Sequence, residues 1–84
     1  MIAQEMFKNL GLELYEKAPK NVIWYVTENY NRHNGAYWRI VFHIFDQTYT
    51  IWSDQKCIDY EVHIDTKIHE AIHQQLIELG WIKK

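Results

Sequence analysis

An 84-residue chain of 10.3 kDa has room for one small domain, residues 1–84, and none for a second core. Its 48% apolar and 24% charged residues make a globular composition and exclude a disordered acidic or basic tail. A net charge of -2, from 9 Lys+Arg against 11 Asp+Glu, argues against generic binding to a phosphate backbone, which needs a dense basic patch.

In chain order, Ile2, Met6 and Leu10 fall four apart and predict a helix over Met1–Leu10, with Ala3 and Phe7 on its shoulder. Gly11 is its stop, and Leu12 is expected to fold back onto Phe7. So short a helix does not persist alone in water and must dock. Leu12–Lys17 alternates as a short strand, and Pro19 breaks it. Val22–Thr27 is dense in β-formers and could extend to Tyr30. Asn34-Gly35, within the polar stretch Asn31–Ala36, is the strongest short hairpin signal in the chain.

The next strand is expected over Tyr37–Phe45. Trp38, Ile40, Phe42 and Ile44 share one face, and Tyr37, Arg39, Val41, His43 and Phe45 share the other. Asp46-Gln47 gives a tight connection into Thr48–Ser53, where Tyr49 and Ile51 oppose Thr50 and Trp52. After a polar loop, Ile58, Tyr60, Val62 and Ile64 alternate with Cys57, Asp59, Glu61 and His63 and predict a fifth strand. Asp65-Thr66 caps a final helix whose apolar side is Ile68, Ala71, Ile72, Leu76 and Leu79; Gly80 ends it, and Trp81 is expected to reach back to Leu76.

Tight turns between consecutive strands require antiparallel pairing. The expected fold is therefore α+β: an antiparallel meander of four or five strands flanked by an N-terminal and a C-terminal helix. The expected core joins Trp38, Ile40, Phe42 and Ile44 to Ile58, Tyr60, Val62, Ile64, Ile72, Leu76 and Leu79. The second face of the Tyr37–Phe45 strand is either covered by the first helix or left as an exposed aromatic surface.

A single cysteine, Cys57, cannot form an intramolecular disulfide, which points to a reduced, cytoplasmic setting. The charged residues near the start are unlike a signal peptide, and no stretch nears the ~18–20 apolar residues of a membrane span.

His69-Glu70-Ala71-Ile72-His73 is a literal H-E-x-x-H, which on a helix can share a zinc ion between two imidazoles with the glutamate as base. A third ligand is missing downstream, where Glu78 is the sole carboxylate and no His follows; the longer metzincin pattern would need Gly at 76 and His at 79, and both are Leu. Upstream, His63 or Asp65 would have to serve. The expectation is therefore no metal and no cofactor, with His69 and His73 as solvated shoulder residues and His63 as the remaining metal candidate. His33 and His43 read as solvated or hydrogen-bonded imidazoles. Cys57 beside Asp59 is a poor nucleophile, because a negative neighbour disfavours the thiolate. Phosphate-binding glycine loops and nucleophile elbows are absent from the sequence.

The opening Ala3-Gln4-Glu5-Met6-Phe7-Lys8-Asn9-Leu10-Gly11 and the closing Glu70-Ala71-Ile72-His73-Gln74-Gln75-Leu76-Ile77-Glu78-Leu79-Gly80-Trp81 resemble the terminal helices of small phage and prophage accessory proteins of Gram-positive bacteria. The resemblance covers these two ends alone. It implies a mobile-element origin and an accessory role, and no catalytic residue.

The 15% aromatic content must build much of so short a core and can leave some rings for a binding surface. Tyr37, Arg39, His43 and Phe45 could stack bases, but the charge balance opposes nucleic acid. Protein interfaces use the same residue types without net positive charge. The expected function is a non-enzymatic accessory protein that binds a host protein, an inhibitor of a bacterial defence system of the anti-CRISPR kind. Its expected contact residues are Tyr30, Arg32, Tyr37, Arg39 and His43. The alternatives are a small-ligand or nucleotide binder, with a pocket between the second sheet face and a helix, and a zinc hydrolase built on His69, Glu70 and His73. A homodimer fits the first reading equally.

Overall fold

The computed structural model describes residues 1–28 and 31–83. The elements run α1 (Ala3–Asn9), β1 (Leu12–Leu14), β2 (Val22–Thr27), β3 (Trp38–His43), β4 (Thr48–Ser53) and α2 (Thr66–Glu78). The strands form one antiparallel sheet in the order β1-β2-β3-β4. This is the expected α+β meander, with four strands.

The hairpin between β2 and β3 closes as its sequence requires. Asn34 (φ 53°) and Gly35 (φ 74°) both take positive φ, the condition of a type I′ turn, and His33 and Ala36 exchange two backbone hydrogen bonds across it. Beyond the turn, Tyr25, Ile40, Phe42 and Trp38 share one sheet face, and both helices dock there. Phe7 of α1 stacks on Tyr25 with ring centroids 4.2 Å apart and meets Phe42 edge-on. From α2, Ile68, Ala71 and Ile72 enter the same core.

α2 ends in the expected motif. The amide of Trp81 donates to Leu76 O and that of Gly80 (φ 75°) to Ile77 O, a complete Schellman closure. Near this end the Glu78 carboxylate accepts the Ala3 amide at 2.7 Å, so α2 caps the free N-terminus of α1.

One buried polar pair crosses the core. The Tyr25 hydroxyl donates to Gln75 Oε1 at 2.6 Å. Burial, assisted by the negative charge of Glu78, pushes the Tyr25 phenol up to about 12. A raised folded-state value means the contribution is whole below the unfolded tyrosine value of about 10 and is lost as pH climbs from there through 12. An alkaline absorbance titration should therefore hold a phenol component near pH 12, and Tyr25→Phe should remove it. A variant that loses a component near pH 10 and keeps the one near 12 would refute the assignment.

The sequence misplaces one element. Cys57–Ile64 is not a fifth strand but an irregular loop, and its apolar residues face water: Ile58 is 100% exposed and Tyr60 96%. Val62 and Ile64 are exposed as well, so none of the four belongs to the core. The physical reason is a side chain. Gln55 accepts the His63 amide at 2.7 Å and donates to the His63 carbonyl at 3.0 Å, doing with its own amide what a neighbouring strand would do. The chain then turns at Tyr60, whose φ is 60°. Strand β3 also ends earlier than expected, at His43. Ile44 sits half-buried in the following turn, and Phe45 is 83% exposed there instead of continuing the sheet face.

Candidate functional site

Because both helices lie on one side, the opposite sheet face has no helix over it among the described residues. The β2–β3 register sets Val26 against Arg39 and Trp24 against Val41; the β3–β4 register sets Arg39 against Trp52 and Val41 against Thr50. Arg39 thus stands mid-sheet with an indole on either side. Its guanidinium carbon lies 5.7 Å from the Trp24 ring centre and 5.6 Å from that of Trp52, within cation–π range of both. Trp52 is 50% exposed. Tyr15 extends the platform by packing against Trp24 at 5.0 Å. Among the described residues, the buried Trp24 indole N–H has no hydrogen-bond partner.

A shallow cleft of about 350 Å³ opens on this face, lined by Trp24, Val26, Tyr37, Arg39 and Trp52 among others. Beside it, Glu13, Glu16 and Glu28, with Lys17 among them, border a second depression at the β1 edge. The face is therefore cationic at its centre and net acidic at one margin.

The expected contact residues occupy three places. Arg39 and Tyr37 both line the cleft. Arg32 lies over the Tyr37 ring at 4.5 Å and donates to its hydroxyl at 3.2 Å, a pair at the hairpin end of the face. His43 stands four residues along β3 from Arg39, roughly 13 Å away at strand rise, against Thr50. Tyr30 lies outside the described residues.

The hairpin tip is tied to α2, and His33 is hydrogen-bonded, one of the two states expected of it. Asp65, the N-cap of α2, accepts from Ile68 N–H at 3.0 Å and also meets His33 Nε2 at 2.5 Å and Asn34 Nδ2 at 2.7 Å. The His33 carbonyl in turn accepts from the Trp38 indole at 2.9 Å. One carboxylate thus starts the helix and staples the hairpin to it. Among the described residues no pocket lies between the second sheet face and a helix, since the helices pack on the far side.

The H-E-x-x-H residues do not assemble a metal site with His63. His69, Glu70 and His73 are exposed on α2, the two imidazoles 6.4 Å apart. Among the described residues, the one group of three potential ligands is Cys57, Asp59 and His63. No described helix is long and apolar enough to cross a membrane.

Sequence reasoning missed Trp24 and Trp52. Strand alternation places Trp52 with Thr50, and antiparallel pairing puts both on the Arg39 side. What could not be read was the register: a two-residue turn at Asp46-Gln47 would set Val41 opposite Trp52. The four-residue turn Ile44–Gln47 sets Arg39 there instead. No protein-family model, curated protein or solved structure matches this chain.

Proposed function

We propose that the chain is a non-enzymatic binding module that docks a host protein through its open sheet face. The observation that carries this reading is Arg39 set between Trp24 and Trp52 on a face that neither helix covers. Trp and Arg are the residue types that dominate interface hot spots, and here the rings already hold the guanidinium in place, which reduces the entropy lost on docking. The partner has a carboxylate to meet Arg39 and apolar side chains to cover the indoles. The acidic margin of Glu13, Glu16 and Glu28 favours a protein over a phosphate backbone, which those carboxylates would repel. The terminal helices' resemblance to phage accessory proteins supplies the rest of the proposal: a host protein as target and an anti-defence role of the anti-CRISPR kind, in the host cytoplasm.

The test is a photo-crosslinking residue in place of Thr50, on the open face, with a control at Lys67 on α2, expressed in a Gram-positive host. A single dominant host-protein adduct should form from position 50 and not from 67. Arg39→Ala and Trp52→Ala should each reduce it at least ~10-fold without moving the melting temperature, as expected for loss of a contact worth ~2 kcal/mol. An adduct insensitive to both substitutions, or seen only from position 67, would overturn the proposal. A small molecule retained in native mass spectrometry and shed by Trp52→Ala would favour the ligand-binding alternative, and an adduct only with a second copy would make the face a homodimer interface.

A further inference from the structure

We propose that the loop between β4 and α2 is a zinc site, with Cys57, Asp59 and His63 as its protein ligands. The Cys57 thiol, an Asp59 carboxylate oxygen and a His63 ring nitrogen all lie within 4.8 Å of one another. The loop reaches this arrangement without hydrophobic help, since Ile58 and Tyr60 point into solvent. Polar contacts shape it instead. The Tyr60 amide donates to Cys57 O at 3.1 Å and closes a turn that puts Cys57 and Asp59 on the same side. Gln55 fixes the backbone of His63 from both its N–H and its C=O. The His63 ring then meets Asp59 at 2.8 Å. With Ile58 and Tyr60 in solvent, no apolar burial organises the loop, yet three donor side chains, Cys57 half-buried and Asp59 and His63 exposed, converge on one point, where an ion would supply the centre that a core does not.

The donor set names the ion. A thiolate, an imidazole and a carboxylate together suit borderline-soft, tetrahedral zinc and not magnesium or calcium, which take oxygen ligands. With zinc–ligand bonds of about 2.0–2.3 Å, the donors of a tetrahedral site stand roughly 3.5 Å apart, so rotation of these side chains closes the site. Three protein ligands leave the fourth position to water. A bound dication takes the cysteine as thiolate and the Asp59 carboxylate as a fellow ligand. This site is separate from the aromatic face and from His69 and His73.

Tag-free, metal-stripped protein titrated with Co²⁺ tests the assignment. One equivalent should develop the near-ultraviolet thiolate-to-cobalt charge-transfer band, and added Zn²⁺ should bleach it. Cys57→Ser should abolish the band and His63→Gln should weaken cobalt binding at least ~10-fold, as outer or inner ligand losses do. The double variant His69→Gln/His73→Gln should keep the band. In the unmodified protein, Zn²⁺ should slow alkylation of Cys57, a reading that needs no variant to fold. The site is refuted by absence of the charge-transfer band, by alkylation that zinc does not slow, by a band lost only in the His69/His73 variant, or by a stoichiometry of one ion per two chains.

Discussion

Truncating Phe42 to alanine should remove about 3–5 kcal/mol of stability, the largest expected loss from a single change in this core. Phe42 is fully buried and its ring meets four others: Phe7 at 6.4 Å, Tyr25 at 6.3 Å, Tyr49 at 5.6 Å and Trp81 at 6.4 Å. Those four rings come from α1, β2, β4 and the segment after α2, so one side chain joins most of the fold. The cavity could not collapse without moving several elements at once. At this size total stability is of the order of 4–13 kcal/mol, so the loss takes from about a quarter of the margin to all of it. Val41→Ala, one position along on the open face, should cost well under half as much. Urea denaturation followed by circular dichroism measures both. A cooperatively folded Phe42→Ala protein, within ~1 kcal/mol of the parent, would show that the core is organised around another residue.

Asp65→Ala should cost about 2 kcal/mol, a large loss for a residue outside the apolar core. It deletes the α2 N-cap, worth ~1 kcal/mol, and releases the His33 and Asn34 contacts that tie the hairpin down. Asp65→Asn separates the two effects, because asparagine still caps but carries no charge for His33. Partial burial works to raise the Asp65 carboxyl's pKa. Hydrogen bonds from the Ile68 amide, His33 and the Lys67 amide, with the His33 charge, outweigh it and hold the carboxyl below its usual range. A lowered folded value stabilises the protein above the ordinary Asp value of about 3.9, and that contribution fades as pH falls below it. The stability gap between the parent and Asp65→Asn should therefore be open at pH 6 and shrink in acid. A gap that does not change with pH would rule out the charged contact.

Where one local rule decided an element, the sequence was enough. Asn34-Gly35 can take the two positive φ values of a type I′ turn, and the structure has them. Alternation in β3 assigns Trp38, Ile40 and Phe42 to the buried face with nothing else needed. Gly80 followed by Trp81 encodes a helix stop that depends on three residues. The failures share a different property. Cys57–Ile64 alternates as well as any strand, yet pairing is decided by what lies alongside, and there the Gln55 amide competes for the backbone. The aromatic face failed in the same way. Arg39 is visible in β3 alone, but its company of Trp24 and Trp52 depends on two registers and on the length of one turn. Which side α1 covers was also unreadable, because its apolar stripe fits either face of the sheet.

The bond from Ala3 to Glu78 spans 75 positions, and this has a consequence for a chain emerging from a ribosome. α1 emerges ahead of the elements it docks on and, at seven residues, falls short of the ~12–15 that a lone helix needs. Its docking ground is made later: Tyr25, then Phe42, and last the carboxylate that caps it. This helix is thus made before its partners and settles after them. Until α2 clears the tunnel, Phe7 has no complete pocket and remains open to any chaperone that samples nascent chains.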